Sequence, residues 1–285
     1  MPVRPAARRV LVIDGNVAEV RARQYAALGY DSGSGYARVL QSLQPDLECD
    51  IVRPADGVPE LAAGATLADY AGAAMTGSAL NLYAGGPQVS RQVEFVRAVL
   101  AAGIPFFGSC WGMQVAVAAA GGTVIANPRG REFGFARRIV LTEQGRTHRL
   151  YSGKPIVFEA PTIHRDTVAT LPSGAEPLAT NDYGLQAVAF RSGAAAVWAV
   201  QYHPEYGYRD IAAAADRNAE ALVSERLFDD LASVAGFSSD LRALAQDPAH
   251  PPLLWKHALG EAVRDESLRL RELRNWLDTA VLRLG

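Results

Sequence analysis

An α/β fold is predicted: a three-layer sandwich with a largely parallel central sheet, helices on both faces, and a C-terminal helical extension. Three observations carry this. As far as Gly122, short apolar runs ending in Gly or Asp-Gly alternate with stretches of helical period, the pattern of strands buried on both faces. Beyond Gly122 the chain switches to closely spaced strand-like runs with turn signals between them. Beyond about Tyr206 it reads as helical.

The first strand is RRVLVIDGN, an apolar run closed by Asp14-Gly15. A helical stretch follows over about residues 36–43. CDIVRPADG is a second strand running into a loop, and YAGAAMTGS a third, closing on Gly77 and Ser78. SRQVEFVRAVLAAG sets Val93, Val96, Val99 and Leu100 on one helical face, with Gly103 as its stop. IPFFGS is a fourth buried strand, and WGMQVAVAAAGG a helix ending at Gly121-Gly122. The runs TVIAN, ARRIVLT, PIVFEAP, TVATL, EPLAT, LQAVAF and AAAVWAVQYH are antiparallel or mixed strands expected to extend the same sheet. Near the end, SLRLRELRNWLDTAVLRL places Leu270, Leu273, Leu277, Val281 and Leu284 on one stripe. Such a stripe packs a terminal helix on its own domain, or forms a homo-oligomer or partner contact.

Composition removes several function classes. Hydrophobic residues make up 49% of the 285, ample for a core, and the net charge is −2. With no basic run or aromatic-interleaved basic patch, nucleic-acid binding is not expected. The apolar run after the basic start is too short for a signal peptide, and no stretch reaches the roughly 20 apolar residues of a membrane span. Two cysteines give no disulfide framework and fit a reducing cytoplasm. No G-x-G-x-x-G follows a strand and no phosphate-binding G-x-x-x-x-G-K-[ST] occurs. Neither a cofactor nor a metal is predicted.

The chemistry is concentrated in Gly108-Ser109-Cys110-Trp111-Gly112, between a predicted strand and a predicted helix. Small residues two before and two after a nucleophile let the chain turn sharply and hold a strained angle at the nucleophile. At a helix N-terminus, the dipole and free N–H groups favour thiolate, the reactive form. Cys49, inside LECDIV, reads as a small buried hydrophobe. A nucleophilic cysteine needs a base. Among the five histidines, His203 ends the strongest strand signal and precedes Pro204, which favours extended backbone. Glu205, two residues on, then points the same way and can hold the imidazole in its tautomer. Cys110, His203 and Glu205 thus form a nucleophile, base and orienter set.

GIPFFGSCWGMQ and VWAVQYHPEY together resemble the class I, triad-type glutamine amidotransferases, whose signatures are a G-x-C-x-G-x-Q elbow and a late H-P-E. AMTGSALNLY, GREFGFARRIVLT and HRDTV match further family segments, so the resemblance spans about residues 8–207. It is greatest to the GMP-synthase-type amidotransferases that stand alone as separate chains. The resemblance implies a flavodoxin-like amidotransferase domain over residues 1–207, with residues 208–285 as the helical extension. It implies that Cys110 attacks the γ-amide of glutamine or of another γ-glutamyl compound and forms a thioester. It assigns backbone N–H groups of Trp111 and of Ser78 or Gly77 to the oxyanion. Gln114 would seat the glutamine head, with Arg131 and Glu132 as further substrate contacts. Two departures from the pattern, Thr-Gly-Ser-Ala after the third strand and Trp111 in place of a small aliphatic residue, predict a reshaped pocket and a substrate larger than glutamine. His164 and Asp166 either line that pocket or form an exposed turn. The region after Tyr206 is too short for a synthetase domain. Two readings stay open: a glutaminase passing ammonia to a separate synthetase subunit, and a stand-alone γ-glutamyl amide hydrolase. The intact Cys110, His203 and Glu205 set argues against a non-catalytic binding protein.

Overall fold

Along the first strand, Val10 and Val12 face one side and Leu11 and Ile13 the other, and all four are fully buried. A strand with no polar face needs helices on both sides. The structure, a computed structural model, describes residues 8–283. In chain order its first half contains β1 (Arg8–Ile13), α1 (Ala18–Leu28), α2 (Ser32–Leu43), β2 (Leu47–Val52), β3 (Gly72–Met75), α3 (Pro87–Ala101), β4 (Phe106–Ser109), α4 (Trp111–Ala119), β5 (Thr123–Ala126) and β6 (Glu132–Leu141). Then come α5 (Glu143–Thr147), β7 (Val157–His164), β8 (Asp166–Thr170), β9 (Glu176–Asn181), β10 (Gly184–Ser192) and β11 (Ala195–Val200). The remainder is helical: α6 (Tyr208–Arg217), α7 (Ala219–Ser224), α8 (Leu231–Gln246), α9 (Pro251–Lys256), α10 (Glu261–Arg264), α11 (Glu266–Arg269) and α12 (Arg271–Trp276), running into a π-helical turn, Leu277–Val281.

The nine-stranded sheet has the order β2-β1-β3-β4-β11-β10-β9-β6-β7. Strands β2, β1, β3, β4 and β11 are mutually parallel; from β11 onward every pairing is antiparallel. On one face, Val10, Val12, Ala74 and Phe107 pack against α2 and α12. On the other, Leu11, Ile13, Met75 and Phe106 pack against α3 and α4. This is the predicted three-layer sandwich, and its centre brings the C-terminal ends of β3, β4 and β11 side by side.

One expectation is corrected, one helix is added and one alternative is decided. Strands β5 and β8 do not extend the main sheet but pair with each other as a separate two-stranded ribbon. The cause is visible in β5, which exposes Thr123, Ile125 and Ala126 and buries only Val124, too open for a doubly covered sheet. The first helix was invisible because α1 has no apolar stripe; the residues it buries are Arg21 and Gln24. Leu270, Leu273, Leu277 and Val281 are all buried in the first core face, where Trp276 meets Phe107 at 5.8 Å between ring centroids. There a Cβ on Gly72 would stand 2.7 Å from Val281. These four residues of the stripe thus pack on their own domain, the first of the two readings; Leu284 lies outside the described residues. Among the described residues, no helix is long and apolar enough to cross a membrane.

Candidate active site

The junction between β4 and α4 is a strained elbow. Cys110 sits at φ 53° and ψ −103°, a left-handed backbone at a residue with a side chain. Its N–H donates to the Val200 carbonyl at 2.8 Å, and its carbonyl accepts from the Gln114 N–H to start α4. Both flanking glycines are sterically required. A Cβ on Gly108 would stand 2.4 Å from the backbone of Gly112, and one on Gly112 would stand 2.5 Å from the Met75 carbonyl oxygen. The G-x-C-x-G spacing is thus explained by close approach of β3, β4 and α4.

His203 follows β11, its N–H donating to the Pro161 carbonyl at 2.8 Å. Its Nδ1 lies 2.7 Å from Glu205 Oε1, and it lines one cavity with Cys110, whose thiol donates to the Ile163 carbonyl at 3.5 Å. Glu205 Oε2 accepts from Ser109 Oγ at 3.0 Å, and Ser109 Oγ is 3.0 Å from the Tyr36 hydroxyl. The Tyr206 ring stacks on the imidazole, 4.1 Å away and nearly parallel at 8°. Burial opposes a charged imidazole, but the Glu205 carboxylate and the neighbouring Cys110 outweigh it and bring His203 up to about 10. By contrast, burial, with the neighbouring Asp50 charge, pushes the Cys49 thiol up to about 12. A thiol on a strained elbow is thereby brought to a buried imidazole and a carboxylate that share one short segment after β11.

The loop after β3 closes over them. A Cβ on Gly77 would stand 2.5 Å from His203 Cε1, so only glycine fits there. Asn16 holds this loop in place: its Nδ2 donates to the Gly77 carbonyl at 3.3 Å, and its Oδ1 accepts from the Ala79 N–H at 3.0 Å. Cys110, His203, Gly77, Ser78 and Gln114 all line one cavity of about 290 Å³. Gln114 also donates to Gln201 Oε1 at 3.3 Å, which fixes its amide.

Other predicted contacts are placed differently. Arg131 reaches the cavity but is held by Glu225 through two contacts of 2.8 and 3.2 Å, and this pairing holds the Glu225 carboxyl below its ordinary range. Glu132 does not line the cavity. Its carboxylate is buried beneath it, bound to His164 Nε2 at 2.8 Å, Asn181 at 2.7 Å and Gln186 at 3.0 Å. Arg131 precedes β6, whereas Glu132 is its first residue and is 4% exposed. His164 lines the cavity, yet both ring nitrogens are engaged, Nδ1 by the Asp166 carbonyl at 3.0 Å. Asp166 is buried at the cavity wall rather than in an exposed turn. The Trp111 indole does not reshape the cavity. It is 1% exposed and buried among the residues packed under α3, where Nε1 donates to Gln92 Oε1 at 2.8 Å. A side chain in the first turn of α4 points back toward the sheet, and Gly15 leaves room for this ring.

Sequence reading missed Ser109, Tyr36, Tyr206 and Arg269. The Arg269 guanidinium donates to the carbonyls of Pro204 and Tyr206, at 3.1 and 3.0 Å, on either side of Glu205. Tyr202, next to His203, donates to Glu272 Oε1 at 2.6 Å, and Glu272 pairs with Lys154 at 3.0 Å. The C-terminal helices therefore grip the His203–Tyr206 segment at both ends. Of these residues, only Tyr206 carried a signal, its position beside the H-P-E.

A family model described as glutamine amidotransferase class-I matches residues 31–214. A γ-glutamyl-L-1-hydroxyisopropylamide hydrolase from a Pseudomonas species is 31% identical over 277 residues, covering 96% of this chain and 93% of that one. The GMP synthase of Nocardia farcinica is 31% identical over 64% of this chain, which spans 32% of that relative's length. A glutamine-hydrolysing GMP synthase subunit of Methanocaldococcus jannaschii is 29% identical over 45% of this chain and 65% of its own. Among solved structures, a glutamine amidotransferase of Thermotoga maritima has a TM-score of 0.63 at 22% identity, covering 96% of this chain and 98% of that one.

Proposed function

The chain belongs to the class I glutamine amidotransferase family, and we propose that it is a stand-alone hydrolase of γ-glutamyl amides with Cys110, His203 and Glu205 as its catalytic residues. The observation that carries this is the near full-length match to a γ-glutamyl amide hydrolase, which extends through the C-terminal helices.

In this reading Cys110 gives its thiol proton to His203 Nε2 and its sulfur adds to the γ-carbonyl carbon, whose π electrons move onto the oxygen. The oxyanion is met by the backbone N–H of Trp111, one of the donors left free in the first turn of α4, and by that of Ser78 or Gly77. Each such donor contributes about 2.7–4 kcal/mol in comparable sites. The amine leaves with a proton from His203 Nε2, giving a γ-glutamyl thioester. His203 then takes a proton from water, whose oxygen attacks the thioester carbon, and glutamate and the thiol are released. Glu205, held by Ser109, keeps Nδ1 protonated and stabilises the imidazolium. Gln114 and the Arg131 segment border the place of the glutamyl chain. Because Cys110 must stay a free thiol, the cytoplasm is the compartment this reading requires. Residues 1–207 serve as the amidotransferase domain and residues 208–285 as its helical extension, a division supported by the family match ending at residue 214.

A second reading, a glutaminase serving a separate synthetase subunit, is supported by the likeness to the Methanocaldococcus jannaschii GMP synthase subunit over 45% of the chain. A panel of L-glutamine and γ-glutamyl alkylamides, assayed on the isolated chain, separates the two. Release of alkylamine without any partner supports the hydrolase. Feeble glutaminase activity with no alkylamide turnover would replace it with the second reading.

A further inference from the structure

Four successive backbone N–H groups follow β3 at residues 77–80, and the chain itself uses two of them. The Ala79 N–H donates to Asn16 Oδ1 at 3.0 Å, and the Leu80 N–H donates to Ser78 Oγ at 3.1 Å. Those of Gly77 and Ser78 meet no acceptor among the described residues, and both residues line the Cys110 cavity. The Gly77 carbonyl decides between them. It accepts from Thr76 Oγ1 at 2.9 Å and from Asn16 Nδ2 at 3.3 Å. No peptide bond among the described residues is cis, and across a trans peptide the C=O and the following N–H point in opposite directions. With its carbonyl turned to Thr76 and Asn16, the 77–78 peptide aims the Ser78 N–H away from them.

The Asn16 side chain is itself held in one orientation. Its Oδ1 faces an N–H and its Nδ2 a carbonyl, so a turned amide would lose both bonds. Nδ2 also donates to Ser32 Oγ at 3.0 Å, whose own hydrogen goes to Gln24 Oε1 at 2.9 Å. The Asn16 backbone is anchored as well: its N–H donates to Asp14 Oδ1 at 2.9 Å, and its carbonyl accepts from Arg21. Asn16 is buried, and all its polar groups are engaged.

We infer that Asn16 is a positioning residue for the reaction: by clamping the Gly77 carbonyl and the Ala79 N–H it brackets Ser78 and makes the Ser78 N–H, in place of that of Gly77, the second donor to the oxyanion. This rests on the γ-glutamyl hydrolase reading and assigns a role in it to a residue of the loop after β1. Asn16 acts through the 77–78 peptide, so its contribution appears in the acylation step and not in the binding of substrate.

The test compares the turnover of a γ-glutamyl alkylamide by the unsubstituted chain, Asn16→Ala and Asn16→Asp, with calorimetric binding of L-glutamine to the same substitutions in full-length Cys110→Ala. Asn16→Ala lowers kcat by roughly 10²- to 10³-fold, the loss of one oxyanion donor. Its affinity for glutamine stays that of Cys110→Ala alone, a result that misfolding would not give. Asn16→Asp keeps the acceptor for the Ala79 N–H but sets a carboxylate oxygen against the Gly77 carbonyl, and kcat falls as far. Turnover restored by Asp, or a rise in KM with kcat unchanged, overturns the inference while leaving the hydrolase reading in place. A crystal structure of the thioether that Cys110 forms with a γ-glutamyl chloromethyl ketone, chloride leaving, reads the donor directly. The ketone oxygen lies at hydrogen-bond distance from the Ser78 N–H; an oxygen bound by the Gly77 N–H, with the Gly77 carbonyl off Asn16, overturns the inference alone. If Cys110 takes no label and the unsubstituted chain turns over no γ-glutamyl amide, the hydrolase reading itself falls, and the inference with it.

Discussion

Replacing Glu205 with Gln isolates the part of the site that depends on one carboxylate. Its Oε1 lies 2.7 Å from His203 Nδ1, and Ser109 holds its other oxygen at 3.0 Å, so the shape survives while the charge is lost. In the intact chain burial pulls His203 down, and Glu205 is the foremost influence holding it up at about 10. Without that charge, burial is opposed only by Cys110, and the imidazole titrates well below its value in the intact chain. Each pKa unit of that fall corresponds to about 1.4 kcal/mol of lost preference for imidazolium. The sign for stability follows: a histidine raised in the folded state stabilises fully below pH 6.5, and that contribution disappears as pH rises through about 10. The Gln amide also offers an N–H to Nδ1 and favours the wrong tautomer, so turnover falls by roughly 10²- to 10⁴-fold. The assay is NMR titration of the His203 ring in both proteins, with pH–rate profiles alongside. An imidazole still titrating near 10 in Glu205→Gln, or turnover within tenfold of the unsubstituted chain, would refute the reasoning.

Two further substitutions probe the scaffold. Gly112→Ala puts a Cβ 2.5 Å from the Met75 carbonyl oxygen, a backbone clash that no rotamer relieves; overpacking of this kind destabilises by about 3 kcal/mol or more, read as a lower urea midpoint, and an unchanged midpoint would contradict the elbow geometry. Arg269→Ala frees the carbonyls of Pro204 and Tyr206 and is expected to lower kcat roughly tenfold with KM little changed, from one charge-assisted hydrogen-bond pair; a rise in KM alone would instead place Arg269 in substrate binding.

Much of the fold was legible because buried parallel strands and their covering helices announce themselves by apolar period. The elbow was legible because only glycine permits the approaches at Gly108 and Gly112, and H-P-E because extended backbone sets His203 beside Glu205. What stayed hidden depends on direction and on contacts distant in the chain. Trp111 looked like a pocket residue, but helix geometry turns its indole into the core. Glu132 looked like a substrate contact, but its carboxylate is buried against His164. Ser109 reads as an ordinary small residue at a strand end, and its bond to Glu205 spans 96 positions. Arg269 reaches Pro204 across 65 positions, and nothing in local sequence marks it. Helix α1 escaped because it buries Arg21 and Gln24 in place of apolar side chains.

The central claim is a γ-glutamyl thioester on Cys110. Rapid acid quench of the isolated chain turning over a γ-glutamyl alkylamide, followed by peptide mass spectrometry, tests it directly. The account predicts a γ-glutamyl adduct on the peptide containing Cys110 and none on that containing Cys49, whose thiol is pushed up to about 12. Steady turnover with no adduct at Cys110, or turnover that persists in Cys110→Ala, would contradict it.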